Sequence, residues 1–408
     1  MLKTGIKIPI LLLIVFTIFT CVDPYAPKLA GYKHMLVVEG RVTNDNRSCV
    51  VKLSLSKQAD DTVSSGVRGA SIYLSDEEGN ISDLTEYSDG IYKTDSLGFK
   101  GEIGKSYQLH LRTSEGNEYA SDKCTMYPVP DIDTVYYEKD EKLTKNQTVA
   151  QQGISIYIDT KPGYGGKQFL RWDFEETWKF KVPFPTVFIY VNEDTILQSS
   201  VADIHQYCYK SSRSSDILAG EISSGESGSI KKQLINFIAP KVSDRLTLRY
   251  SILINQYSIS QKEYNFWSNL REMNETEGDI FGSQPFPVLS NIRNVTDPNE
   301  PVLGYFSVSA VKHVRKYINF NDLIHLNIPF NNTTCRLISK NPGEYSSWGH
   351  RFTFDDLYKM FMTTPGYAFV EPFYNPVSGA LSKLVFTFSE CADCRVTGSE
   401  RKPDFWTE

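Results

Sequence analysis

Between residues 35 and 127 apolar and polar residues alternate in short runs, MLVVEGRVT, CVVKLSLS, ASIYLSD, GIYKT, YQLHLRT and EYASDKCTM, parted by turn residues. A period of two marks strands with one buried face, and this spacing predicts a small antiparallel β-sandwich over 35–127. The pattern breaks at Tyr127-Pro128-Val129-Pro130-Asp131, where two prolines in three residues remove backbone donors. Longer runs follow, and 154–159, 169–180, 186–193 and 245–257 read as strands, as do 302–311, 314–318 and 383–388. One helix interrupts them: Ser260-Gln261-Lys262-Glu263 has the form of a capping box, and Tyr264, Phe266, Trp267, Leu270 and Met273 recur every three or four residues towards Gly278. A weaker helical pattern follows Thr353. The expected architecture is mainly β, with an N-terminal sandwich and a larger β-rich domain over 128–408 carrying one or two helices.

Within the first unit, residues 66–76 lead a strand into the polar turn Glu77-Glu78-Gly79-Asn80, and Gly90-Ile91-Tyr92 opens another. This stretch resembles immunoglobulin-like and carboxypeptidase-regulatory-like modules, so the sandwich is expected to be immunoglobulin-like and to act as a spacer or docking surface.

At the N-terminus, Lys3 and Lys7 precede an apolar run over residues 8–19 that stops at Thr20-Cys21. The run is too short to span a bilayer and matches the apolar region of an export signal. Ile18, three residues before Cys21, fits a lipoprotein signal, so residues 1–20 are expected to be removed and Cys21 to carry the lipid. Residues 21–34, with Pro24 and Pro27, then form an extended tether between lipid and fold. Acyl chains bury methylenes at about 0.8 kcal/mol each and hold a protein on a membrane without spanning it.

Loss of residues 1–20 leaves 41 basic and 49 acidic residues, a net charge of −8, with no basic stripe. Nucleic acid is excluded as a partner on this count, because phosphate neutralisation needs clustered Lys and Arg. The 24 Tyr and 23 Phe residues suit sheet-rich packing.

Searches for chemistry return little. In the strand over 169–180, alternation places Leu170, Trp172, Phe174, Trp178 and Phe180 on one face, and Glu176 falls among them. A carboxylate there must be paired or protonated, and a buried ion pair is expected. Arg171, Asp173, Glu175 and Lys179 point the other way, like a solvated face. Gly225-Glu226-Ser227-Gly228-Ser229 lacks the final glycine of a nucleophile elbow. The six histidines, 34, 110, 205, 313, 325 and 350, show no paired metal-ligand spacing, and neither Asp60-Asp61 nor Asp131-Ile132-Asp133 forms a calcium loop. No catalytic residue, metal or cofactor is expected.

Besides Cys21 there are six cysteines, and an even number in an exported chain suggests disulfides. Cys49 and Cys124 fall in the first unit and could bridge it; Cys208, Cys335, Cys391 and Cys394 fall in the second. Connectivity is not readable from spacing. The context of Cys391-Ala392-Asp393-Cys394, after a strand and before no evident helix, favours a structural bridge over an active dithiol.

Taken together, Cys21-Val22-Asp23-Pro24-Tyr25, Leu36-Val37-Val38-Glu39-Gly40, Pro128-Val129-Pro130-Asp131-Ile132-Asp133, the 171–178 strand, Asn255-Gln256-Tyr257-Ser258-Ile259-Ser260, Val302-Leu303-Gly304-Tyr305-Phe306 and the tail from Cys391 to Trp406 resemble a family of Bacteroidota outer-membrane lipoproteins grouped under a domain of unknown function, family 4249. The resemblance implies an exported lipoprotein, lipid-anchored in the outer membrane and facing the cell surface, that serves as an accessory of a TonB-dependent transporter or another outer-membrane barrel. It brings no reaction with it. Two other readings stand beside it: a glycan- or peptide-binding surface with Trp172, Trp178, Trp267 or Tyr264 as the stacking platform, and a surface hydrolase built on Glu176.

Overall fold

The computed structural model describes residues 34–56, 65–95, 99–143, 149–223, 228–276, 290–330, 335–343 and 351–407. The expected signal, Cys21 and the tether up to residue 33 lie outside them. The fold is mainly β. Its first eight strands are β1 (Leu36–Thr43), β2 (Val50–Leu55), β3 (Ser71–Asp76), β4 (Ile81–Ser88), β5 (Ile91–Lys93), β6 (Ser106–Arg112), β7 (Glu118–Ser121) and β8 (Cys124–Thr125). Alternation does its expected work in β1: Leu36, Val38 and Val42 are buried, while Val37, Glu39, Arg41 and Thr43 face the other way.

These strands do not form a self-contained sandwich over 35–127. They join one path, β7-β6-β3-β4-β5-β2-β1 with β8 on β6, whose two ends are covered by β18 (Ile292–Asn294) on β7 and β19 (Leu303–Ser309) on β1. Left alone, β1 and β7 would present open edges, which sheets seldom tolerate. The two covering strands also approach each other. The Phe306 N–H donates to Asn291 Oδ1 at 2.9 Å and Asn291 Nδ2 donates to the Phe306 carbonyl at 2.8 Å. One side-chain amide thus does the work of a strand's backbone and closes the ten strands into a near-barrel.

β19 runs parallel to β1, pairing Val37 with Leu303, Glu39 with Tyr305 and Arg41 with Ser307. Such close pairing needs glycine at 304, where φ is +89° and a Cβ would stand 2.1 Å from the Val38 carbonyl oxygen.

The spine of the second part is β11 (Gln168–Lys181). β17 (Arg249–Ile259) lies along one side, β14 (Tyr207–Arg213) and β15 (Leu218–Ile222) share the other, and β20 (Val311–Asn319) extends the sheet beyond β17. A second sheet holds β9 (Ile132–Lys142), β10 (Gln151–Thr160) and β16 (Gln233–Ile238). Only the buried Ala310 separates β19 from β20, so the chain leaves the near-barrel and enters the β11 sheet in one step. The Ser258 N–H donates to the Ala310 carbonyl at 3.0 Å, and the Ala310 N–H to Ser258 Oγ at 3.2 Å. One hydrophobic core accordingly runs from Val38 and Leu53 through Ile156 to Trp172 and Ile254, and the boundary expected at 128 is a turn in the chain that the core crosses.

The expected helix is α1 (Gln261–Thr276), capped where Ser260 Oγ accepts from the Glu263 N–H at 3.1 Å. The weaker one is α2 (Phe354–Thr363), which has a full capping box between Thr353 and Asp356. α2 packs with the hairpin β12 (Phe188–Asn192) and β13 (Thr195–Gln198), and with a sheet of β21 (Ile338–Lys340), β22 (Tyr367–Tyr374) and β23 (Leu381–Phe388), around a smaller core that includes Phe361, Phe369 and Phe386.

Two disulfides bind this lobe. Cys335 pairs with Cys391, and Cys394 pairs with Cys208 on β14. Both cysteines of Cys391-Ala392-Asp393-Cys394 thus serve structural bridges, and not with each other: a short helical turn over Ser389–Ala392 sends the two thiols to different partners. Cys49 and Cys124 are free, because β2 and β8 are separated in the sheet path by β5, β4, β3 and β6. Burial pushes the Cys49 thiol up to about 12, the behaviour of an inert core residue.

Candidate functional site

Where β1, β11 and α1 converge, three walls leave a cleft of two adjoining recesses, holding about 550 and 1070 Å³. Its floor is the outward face of β2, β1 and β19. Because β1 and β19 pair in register, Val37 and Leu303 lie side by side there, with Val50 of β2 beside Arg41. The roof is α1, which turns Trp267, Leu270 and Met273 inward. The wall is β11 and β17, which present Arg171, Asp173, Asn255 and Tyr257.

Polar contacts organise one end. Arg41 Nη1 donates to Asp173 Oδ2 at 3.1 Å, and the guanidinium lies over the Tyr257 ring, 4.1 Å from its centroid. Asp173 Oδ1 accepts from Asn255 Nδ2 at 2.7 Å and from the Tyr257 hydroxyl at 3.2 Å. Asn255 Oδ1 is 3.2 Å from His313 Nδ1, and Arg47 Nη2 lies 3.4 Å from the same ring nitrogen while its Nε donates to Asp45 at 2.6 Å. Burial, with the Arg47 charge added, pushes His313 below its ordinary value of 6.5. Arg213 and Glu175 pair across 3.3 Å at the exposed rim.

Arg171 behaves differently. Its guanidinium stacks 3.8 Å from the Trp267 centroid, yet Nε and Nη1, both shielded from solvent, have no hydrogen-bond partner among the described residues. Burial, and next the charge on Arg41, push it down to about 10. Glu263 sits behind Trp267. Its Oε1 accepts from Trp267 Nε1 at 3.1 Å and from Ser307 Oγ at 2.7 Å, so the carboxylate expected to cap the helix instead joins α1 to β19. Burial raises its pKa, against the two hydrogen bonds and the arginines. It attracts Arg171 without bonding to it.

The opposite face of β11 is closed. Glu176 Oε1 accepts from Arg245 Nε at 2.9 Å, and Oε2 accepts from the Tyr250 hydroxyl at 2.9 Å and Asn236 Nδ2 at 3.3 Å. Trp172 and Trp178 are buried beside it, each donating its indole N–H at 3.0 Å, to Gln256 and Asp244. Neither Trp172, Trp178 nor Glu176 reaches the cleft. Of the aromatics proposed from sequence as a platform, Trp267 lines the cleft, and its face is taken by Arg171.

The alternation along 169–180 sorted the two faces of β11 as the structure has them. What it missed is that Arg171, Asp173 and Glu175 face a cleft rather than bulk water; an arginine and two carboxylates alternating on one side of a strand with an apolar far side was the signal available. Arg41 carried no such signal. Among the described residues no cluster of His, Cys, Asp or Glu suited to a metal ion is present, and no helix is long and apolar enough to cross a membrane.

No curated protein matches the chain. A family model described as a domain of unknown function (DUF4249) matches residues 22–315, which takes in every wall of the cleft.

Proposed function

The chain belongs to the DUF4249 family, and on that premise we propose that the mature protein is a non-enzymatic binding protein, held on the outer membrane by lipid at Cys21, that receives cargo in the cleft beneath α1 and serves a TonB-dependent transporter or related barrel. The observation that carries this reading is Arg171, which lines both recesses of the cleft while two of its nitrogens, Nε and Nη1, are shielded and without an acceptor. A buried polar group left unpaired costs free energy that a folded protein ordinarily avoids, and at a cleft a ligand is one way to recover it. The size of the cleft suits a ligand, since typical small-molecule sites run from about 300 to 1,000 Å³. The export signal, the tether and the acidic surface without a basic stripe accord with a surface lipoprotein.

A hydrolase reading loses its support, because both oxygens of Glu176 are committed within the core. A sugar-stacking reading loses it too, since Trp172 and Trp178 are buried. The test is affinity purification of the tagged, lipidated protein from its own outer membrane in mild detergent, with mass spectrometry of what accompanies it. A stoichiometric barrel is expected. Recovery of the protein alone under gentle conditions overturns the accessory role.

A further inference from the structure

Resting on the reading of the cleft as a binding site, we propose that its ligand is a monoanion with an apolar body, a carboxylate that docks on Arg171 and a hydrocarbon or side-chain surface that lies against Val37, Val50, Leu270, Met273 and Leu303.

The charge follows from what the other cations are doing. Arg41 is engaged by Asp173, Arg47 by Asp45 and Arg213 by Glu175. Arg171 lies against Trp267 with two N–H groups unused. An anion arriving there forms charge-assisted hydrogen bonds that nothing in the protein forms, and it does so in a shielded place where such bonds are strong. The number of charges is limited from the other side. Asp45, Asp173, Glu175 and Asp216 line the same recess, and they oppose a second negative charge, so a phosphate dianion is a poor fit. The Trp267 ring lies 3.8 Å from the guanidinium and limits its freedom to swing away.

The apolar body follows from the larger recess. Val37 and Leu303 are neighbours across the β1–β19 pair, Val50 lines the same recess further along, opposite Arg41 on β2, and Leu270 and Met273 descend from α1 one turn apart. Four of the five are only partly buried and Val50 is exposed, although all sit on regular strands or a helix. A free fatty acid and the C-terminus of an apolar peptide share this chemistry, an apolar chain ending in one carboxylate.

The test is isothermal titration of the whole mature chain carrying Cys21→Ser, so that no acyl anchor competes for the cleft. Four probes are compared: decanoate, decanol, acetyl-Leu-Leu-Phe with a free carboxylate, and the same peptide as its amide. At least one carboxylate is expected to bind one to one, at least about tenfold tighter than its neutral counterpart. Arg171→Met should bring the charged probe down to the affinity of the neutral one, and Arg171→Lys should fall between. Binding of decanoate alone assigns a fatty acid, and binding of the peptide acid alone assigns a chain terminus. Equal binding of charged and neutral probes, an affinity unmoved by Arg171→Met, or binding of none of the four overturns the proposal. The wild-type comparison does not depend on any variant folding. Failure here while a barrel still co-purifies removes only the ligand class; decanoate binding by a protein recovered alone keeps the ligand and removes the transporter.

Discussion

Each face of β11 shields a charged side chain from water, and the two faces treat that charge in opposite ways. On one, Glu176 is enclosed by Arg245, Tyr250 and Asn236, and both oxygens of the carboxylate accept hydrogen bonds. On the other, one residue out of phase, Arg171 is stacked and shielded but unbonded. Burial is common to both; satisfaction is not. A buried charge that is fully bonded holds a core in one arrangement, whereas one left unbonded is a standing cost that the fold keeps for another purpose.

The comparison can be broken at several points. The greatest effect is expected at the end of the closed face, where Phe180 of β11 pairs with Cys208 and the Cys208–Cys394 bridge closes a loop across a separation of 186 residues. On chain entropy, Cys208→Ala with Cys394→Ala should cost about 5 kcal/mol in denaturant unfolding and leave the cleft affinity unchanged. Next, Glu176→Ala strands the Arg245 charge. Because the Arg245 side chain is 33% exposed, the lower end of the range for a broken buried pair applies, about 3 kcal/mol. The double replacement Glu176→Leu, Arg245→Met should recover most of it, and a double-mutant cycle reads the coupling directly.

The cleft face should respond the other way. Arg171→Met gives up a cation–π contact and no hydrogen bond, so equilibrium unfolding should show a loss below about 1 kcal/mol. A loss as large as that of Glu176→Ala would mean that Arg171 is structural and would erase the distinction. The smallest effect concerns His313, whose folded pKa is pushed below 6.5 by burial and Arg47. The unfolded chain then binds the proton more readily, so this residue costs nothing above pH about 6.5 and destabilises the fold as pH falls below it. The slope of Tm between pH 7 and 5 should be shallower in His313→Asn.

Much of this was legible in the chain. The period of two placed the strands, Ser260 placed the start of α1, and the alternation over 169–180 put Glu176 inside and Arg171 outside. Pattern alone does not say what an outward face meets. The floor opposite Arg171 is completed by β19, a strand that returns from residues 303–309, and no local signal announces that pairing. The same holds for the cysteines. Two thiols three residues apart suggest each other, but a helical turn between them directs one towards Cys335 and the other towards Cys208. The near-barrel was hidden for a third reason: its seam is closed by the side chain of Asn291, and a side-chain amide leaves no period.

The parallel pairing of β1 with β19 also has a mechanical side. β1 is the first described strand, so a pull on the chain ahead of it enters the molecule along that strand. From Val37–Leu303 to Thr43–Ser309 the rungs lie across the direction of pull, and they are strained together in shear instead of opening one by one like a zip. Past Ala310 the load passes straight into β20 and the β11 sheet. Pulled from that end, the protein would resist most at its first strand.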